Sequence, residues 1–215
     1  MSFVPLFLGG VLLWDFLIQA MQGITMSLFE DVWSRNFLNI FASPLRISEY
    51  IFGFVLASIA RSAVVLTIML ILATFVFGFS VFTYGASLAL FMAILFLFGI
   101  ALGIFGISIV LRLGPSAEWF VWPIPAFLSP FVGVFYPLAT LPPWMRFIGQ
   151  LLPPSYVFDG IRSIVAGNGF STATLVWAVG LSVFYIVLAY ATFAMVYRKA
   201  IRTGLIARYS AESVN

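Results

Sequence analysis

Acid–base chemistry in this chain would fall mainly to its carboxylates, because the sequence contains no histidine and no cysteine. Those two residue types supply the commonest general base and the thiolates that act as nucleophiles and metal ligands. Adjacent acids occur only at Glu30 and Asp31, and that pair suits a solvated helix start better than a catalytic site. The sequence therefore predicts no catalytic residue, no metal site and no cofactor held by this chain. The seven acids are Asp15, Glu30, Asp31, Glu49, Glu118, Asp159 and Glu212.

A nucleotide-binding loop is also missing from the sequence. Such a loop needs a GxxxxGK pattern followed by serine or threonine, whereas the one lysine, Lys199, is followed by Ala200. Any work that this chain does against a gradient must therefore draw its energy from another subunit or from an ion.

Two ionisable side chains, Asp15 and Arg61, stand inside long apolar runs. A charge at that depth is costly, so it needs a protein partner or water. Counted inward from the polar stretch between the runs, at about 1.5 Å per residue, the two side chains lie at similar depths. We therefore expect an ion pair between them, with the alternative that each charge reaches water separately.

The runs that hold these charges indicate an all-α integral membrane protein. The mean hydropathy is +1.16 and 8% of the residues are charged, against about 25% in soluble domains. The runs are continuous and reach the roughly 20 residues of a membrane helix, unlike the alternating strands of a β-barrel. We expect a single domain, 1–215, with five spans at about 3–29, 51–78, 84–111, 119–141 and 172–197.

The third and fourth spans carry opposite packing signals. Small residues on one stripe of the third span favour close approach of a neighbouring helix. Four prolines in the fourth remove backbone donors and kink the chain, so that span should be broken and shielded by its neighbours. The small residues are Gly99, Gly103 and Gly106, and the prolines are Pro123, Pro125, Pro130 and Pro137.

The polar segment 30–50, between the first two spans, begins with helical periodicity because its large apolar side chains share one face. Asp31 and Arg35 stand four residues apart on the polar side, a pairing that stabilises an exposed helix. Ser43 followed by Pro44 then indicates the N-cap of a second helix. Two interpretations stay open: a helix at the membrane surface, and a docking surface for a soluble partner. The apolar face consists of Phe29, Trp33, Phe37, Ile40 and Phe41.

Residues 142–169 are apolar but fall into two pieces, each too short to cross a bilayer. Trp144 lies in the first piece, and Asp159 and Arg162 lie opposite the apolar face of the second. Two amphipathic helices of about ten residues predict a re-entrant or interfacial hairpin.

Basic residues place the polar segment and the C-terminus in the cytoplasm, because cytoplasmic loops carry the excess of arginine and lysine. With five spans, Met1 and the hairpin then lie outside, which suggests that a preceding span is missing from this chain. The net charge of +3 needs no nucleic-acid partner. The cytoplasmic set is Arg35, Arg46, Arg112, Arg198, Lys199, Arg202 and Arg208, against Arg146 and Arg162 outside.

Two motifs carry a resemblance to a known family. ASPLRISEYIFG, residues 42–53, stands before the second span, and LPPSYVFDGIRSIVAG, residues 152–167, stands before the last. Together with the order of spans, they make the chain similar to the permease subunit of the ABC-2-type transporter family over nearly its whole length. Members typically have six spans, so the resemblance implies that one N-terminal span is absent.

The resemblance also implies partners. Two permease copies, identical or different, work with two cytoplasmic ATP-binding cassette subunits, which hold ATP and Mg²⁺, and segment 30–50 is the coupling helix that contacts them. The hairpin, with Tyr156, matches the family's external re-entrant helices. Many members have Gly-Thr where Arg35 and Asn36 stand, so this chain departs from the family there. The contacts carried over are Glu30, Asp31, Trp33, Arg35, Phe37, Phe41, Ser43, Pro44 and Arg46.

The function implied by the resemblance is export across the cell membrane, of cargo that in this family includes drugs, lipids and polysaccharides. The 25 phenylalanines suit an amphiphilic or polymeric cargo, or are ordinary lipid-facing bulk. Three other classes stay open: a secondary transporter or channel without an ATPase, a membrane enzyme, and a non-transporting assembly subunit. The lack of internal repeats argues against the first, and the lack of histidine, cysteine and a catalytic acid pair argues against the second.

Overall fold

The computed structural model describes residues 3–33, 46–77, 85–169 and 171–203. In these ranges the chain forms eight α-helices, two short 3₁₀ turns and no strand. The helices are α1 Phe3–Trp33, α2 Ile47–Phe77, α3 Gly85–Leu113, α4 Glu118–Val121, α5 Ile124–Val132, α6 Pro143–Gln150, α7 Pro153–Val165 and α8 Thr172–Thr203. The 3₁₀ turns are Pro115–Ala117 and Leu138–Thr140.

Four of the described helices, α1, α2, α3 and α8, are long and apolar enough to cross a bilayer. The expectation of an all-α membrane protein is confirmed. At the end of the bundle that carries Glu30, each of these helices continues a few residues beyond the expected span. The helical backbone hydrogen bonds continue there although the side chains become polar. Their apolar stretches are Gly9–Asp31, Ser48–Ile68, Ser87–Leu113 and Thr172–Thr203.

Helices α1 and α3 form the centre of the bundle, with α2 packed on α1 and α8 packed on α3. The central pair buries large apolar side chains, whereas α2 and α8 expose many of theirs, as helices facing lipid or another subunit do. Fully buried side chains include Leu17, Met21, Ile24, Leu28, Ile94, Leu95, Phe98, Ile104 and Ile107. Exposed ones include Phe52, Leu56, Val64 and Phe75 on α2, and Val176, Trp177, Phe184 and Val187 on α8.

Backbone contact between α1 and α3 depends on glycines of α3. A Cβ atom at Gly99 would lie 2.7 Å from the Cβ of Ala20, and one at Gly103 would lie 2.8 Å from the Cβ of Ile24. A Cβ at Gly106 would lie 2.7 Å from a side chain of α4. Larger residues at these positions would force the helices apart. Because residue numbers rise together along the contact, α1 and α3 run in the same direction.

The fourth expected span crosses the bundle in pieces, as its prolines predict. Just after α4, the Trp122 ring lies 6.4 Å from the ring of Phe29, near the C-terminal end of α1. Helix α5 ends at Val132 and is followed by Gly133, whose φ of +66° is left-handed. The carbonyl oxygen of Val134 then lies 3.1 Å from a Cβ built at Gly10, near the start of α1. The chain therefore passes from one end of α1 to the other without a continuous helix.

Helices α6 and α7 are short and lie at the end of the bundle where α1 begins. Each has proline at its first position. Helix α6 lies at the surface, with Trp144 61% exposed. Helix α7 is inserted more deeply, since the Phe158 ring lies 6.2 Å from the Trp14 ring. A Cβ at Gly160 would also lie 2.7 Å from the ring of Phe91 on α3. The hairpin therefore packs inside the bundle through its second helix.

Gly103→Ala should destabilise the bundle, because the new methyl group would press on Ile24 and on the Met21 carbonyl oxygen, 2.9 Å away. We expect a loss of about 1–3 kcal/mol, measured as a lower midpoint of thermal unfolding of the purified protein in detergent. Gly180→Ala on α8 is the matched control, because nothing lies within 4 Å of a Cβ there and alanine favours a helix by about 0.5–1 kcal/mol. A midpoint for Gly103→Ala at or above that control contradicts the packing.

Candidate functional site

Four of the coupling residues expected from the sequence are described, on either side of residues 34–45. Helix α1 continues through Glu30, Asp31 and Trp33, so these residues form its last turn. Arg46 directly precedes α2, and its backbone N–H donates to the Glu49 carboxylate at 2.8 Å. This is the contact by which the third residue of a helix caps its N-terminus. Arg35, Phe37, Phe41, Ser43 and Pro44, with the N-cap predicted at Ser43, lie outside the described residues.

Two side-chain contacts join α1 to α2 at this end of the bundle. The guanidinium of Arg61 lies 3.0 Å from the Glu30 carboxylate. The hydroxyl of Tyr50 donates to the Asp31 carboxylate at 3.1 Å. Both acids were expected to contact a partner, and the structure also gives each one a contact with α2. The helices on either side of residues 34–45 are therefore joined by their own side chains.

A third contact between α1 and α2 lies farther into the bundle. Ser58 Oγ donates to the Ala20 carbonyl at 2.9 Å. A Cβ built at Gly23 would lie 2.7 Å from the Oγ atom of Ser58, so the backbones of α1 and α2 approach closely here. Together with the contacts of Glu30 and Asp31, this one extends the α1–α2 junction from the helix ends into the apolar region. We refer to the three contacts as the α1–α2 junction.

The expected ion pair between Asp15 and Arg61 is not formed. Arg61 pairs with Glu30, whereas the Asp15 side chain hydrogen-bonds to Gln19, one turn along its own helix. The physical reason is that α1 continues past the expected boundary, so Glu30 offers an acid close to water. An arginine loses less hydration there than at the depth of Asp15. Each of the two charges therefore has a partner of its own within the protein, which differs both from the expected ion pair and from the alternative in which each reaches water separately.

At the opposite end, Arg162 joins the hairpin to the broken span. Its guanidinium donates to the Gly133 carbonyl at 2.7 Å and lies 2.7 Å from the Asp159 carboxylate. The arginine side chain is only 17% exposed and faces the protein, whereas the Asp159 side chain is 46% exposed. Tyr156 donates to the Gln150 carbonyl at 2.6 Å, which connects α7 to the end of α6.

Sequence reasoning missed the roles of Tyr50 and Arg146. Arg146 donates to the carbonyls of Ala139 and Leu141, at 2.5 and 3.3 Å, and so holds the chain between α5 and α6. The available signal for Tyr50 is its place between a polar and an apolar stretch, where interfacial tyrosines gather. No local pattern indicates the partners of Arg146, because those carbonyls become available only through the fold.

The chemistry that these groups support is structural. They form ion pairs, cap a helix and donate hydrogen bonds to backbone carbonyls. Within the described parts of the chain, no group of three or more acidic, histidine or cysteine side chains could hold a metal ion. The arrangement joins two long helices at one end of the bundle and anchors a short hairpin at the other.

A protein-family model for the ABC-2 type transporter matches residues 3–166, about three quarters of the chain. The chain belongs to the ABC-2 type transporter family. It is a multi-pass membrane protein and the permease component of an ABC-type transporter, which confirms the resemblance drawn from the two motifs. The match includes both the α1–α2 junction and the hairpin of this ABC-2 permease. No curated protein sequence matches the chain.

Exchanging charges distinguishes the observed ion pair of the ABC-2 permease from the expected one. Glu30→Arg and Arg61→Glu should each lower the midpoint of thermal unfolding, because each leaves two like charges together. The double variant should recover part of the loss, with a coupling of about 0.2–1 kcal/mol for a pair this exposed. Asp15→Arg with Arg61→Glu is the control and should show no recovery. Recovery in the control alone would mean that the structural pairing is incorrect.

Arg162→Gln should loosen the hairpin of the ABC-2 permease, because the Gly133 carbonyl loses a charged donor. A hydrogen bond to a charged group contributes about 1.5–3 kcal/mol, so amide hydrogen exchange in 153–165 should become faster. Asp159→Asn removes the ion pair but leaves the bond to Gly133, and should accelerate exchange less. If the two variants exchange at the same rate, the Gly133 contact does not hold the hairpin.

Proposed function

We propose that this permease is driven by a separate cytoplasmic ATP-binding cassette subunit that binds segment 30–50 and holds ATP and Mg²⁺ in its own site. The observation that supports this is the α1–α2 junction. Because Glu30 and Asp31 join the two helices that flank the segment, a push on the segment displaces both helices together. Rigid displacement of packed helices is an established way to carry a conformational change.

Charge distribution supports a cytoplasmic position for this end of the bundle. Arg46 and Arg112 lie here, together with three basic residues in the last turns of α8. At the other end, Arg146 and Arg162 are engaged by carbonyls of the protein itself. The side richer in arginine and lysine is the cytoplasmic one. The permease then sits in the cell membrane with segment 30–50 and its C-terminus inside.

The displacement has a continuous route to the outer end. Gly99 and Gly103 leave no gap between α1 and α3, so movement of α1 carries α3 with it. Helix α7 rests on both of them, through the contact of Phe158 with Trp14 and of Gly160 with α3. A displacement of the α1–α2 junction therefore also displaces the hairpin that caps the outer side.

We infer that the cargo moves between two permease copies. Helices α3, α7 and α8 line a partly open pocket of about 20 Å³, with Phe91, Tyr156 and Ala178 among its residues, which has room for about one water molecule. In contrast, α2 and α8 expose large apolar side chains over most of their length. Such faces suit a second copy, membrane lipid and an amphiphilic or polymeric cargo that is exported between them.

The coupling assignment is tested by Trp33→Ala combined with Phe37→Ala. The full-length tagged permease, purified from its own membranes, should bring down an ATP-binding cassette subunit that mass spectrometry identifies. Aromatic residues at the centre of an interface contribute about 2 kcal/mol or more each, so the double variant should recover at least about tenfold less of that subunit.

Trp144→Ala is the matched control for this experiment, because it removes an exposed aromatic side chain from the opposite end of the bundle. It should leave recovery of the ATP-binding subunit unchanged. The proposal fails if the wild-type permease brings down no such subunit, or if the double variant recovers as much as the control.

A further inference from the structure

Helices α3 and α8 form a groove at the same end of the bundle as the α1–α2 junction. Its volume is about 400 Å³. Two cationic side chains and a strip of mainly apolar ones line it, and no acid is among them. The lining residues are Arg112 on α3 and Thr192, Met195, Val196 and Lys199 on α8.

The two cations of the groove lie at the same depth. Helices α3 and α8 run in the same direction, and the ring of Phe98 lies 5.3 Å from the ring of Tyr185. Arg112 lies 14 residues after Phe98 on α3, and Lys199 lies 14 residues after Tyr185 on α8. At 1.5 Å per residue, each cation is therefore about 21 Å farther along its helix than the aromatic pair. Both positions lie within a few residues of the last described residues of these helices, Leu113 and Thr203, and we place the headgroups at this depth.

The cations of the groove lack a counter-charge in the described chain. Arg112 and Lys199 are exposed, and neither pairs with an acid among the described residues. The described acids at this end are engaged elsewhere. They are Glu30, Asp31, Glu49 and Glu118, which accept from Arg61, Tyr50, the Arg46 backbone and Trp122.

We propose that the groove binds the headgroup phosphate of an anionic phospholipid, in the leaflet on the side of the α1–α2 junction. Arg112 holds two phosphate oxygens through its planar guanidinium, and Lys199 adds a compact charge. Met195, which is 66% exposed, and Val196 line the path that the lipid chains take toward the bilayer centre. Basic pockets between membrane helices are suited to lipid headgroups. A free phosphate ion would use the cations but not the apolar strip.

Native mass spectrometry of the full-length permease, purified in detergent, tests the site with phosphatidylglycerol as the probe. Arg112→Gln with Lys199→Gln should weaken binding at least about tenfold, since both cations that line the groove and would contact the phosphate are lost. Arg198→Gln with Arg202→Gln is the matched control, because it removes the same charge from the same end of the bundle outside the groove. The control should change binding less than about twofold. If the double variant does not fold, the single variants at 112 and 199 should each bind more weakly than the control.

Two further probes identify the source of the phosphate. Phosphatidylcholine should bind at least about tenfold more weakly than phosphatidylglycerol, and inorganic phosphate should not displace the lipid. Equal binding of phosphatidylcholine would mean a site for lipid chains only. Equal losses in the groove and control variants would mean general surface charge. Displacement by inorganic phosphate would mean a small-anion site, and any of these three results overturns the proposal.

Discussion

The close backbone contact between α1 and α3 is the constraint on which the rest of the structure depends. Apolar helices in lipid gain little from hiding apolar surface, so their association rests on packing. Gly99 and Gly103 permit that packing by removing the side chains that would separate the two backbones. The other elements are then placed on this pair, with α2 on α1, α8 on α3 and the second hairpin helix, α7, against both. A wider spacing of the pair would therefore also disturb the hairpin.

Prolines in the broken span create a second requirement, because every proline removes a donor and leaves a carbonyl to be satisfied inside the membrane. Side chains at the end of the bundle where α1 begins donate to carbonyls of this span. The Tyr136 hydroxyl donates to Pro130 at 2.6 Å, Arg162 donates to Gly133 and Arg146 donates to Ala139. The arginines at this end are thus part of the backbone bonding of the broken span. Their role explains how an irregular chain is held beside apolar helices.

The sequence predicted the long helices and the broken span because both depend on local composition. A continuous apolar run must satisfy its own backbone hydrogen bonds as a helix in lipid, and prolines interrupt those bonds. It did not predict the partner of Arg61, since depth along a helix does not say in which direction a long side chain extends. The contact between Arg162 and Gly133 joins residues 29 apart, and only the packed fold brings them together. The coupling residues within 34–45 stay a prediction, because they lie outside the described chain.

The ion pair between Glu30 and Arg61 also bears on how the chain enters the bilayer. Glu30 is synthesised before Arg61, so the acid has already left the ribosome when the arginine emerges. The first two long helices can then insert as a hairpin in which the cation meets its acid near the water boundary. An unpaired arginine held within a bilayer is costly, and here the partner that lowers this cost requires no later part of the chain.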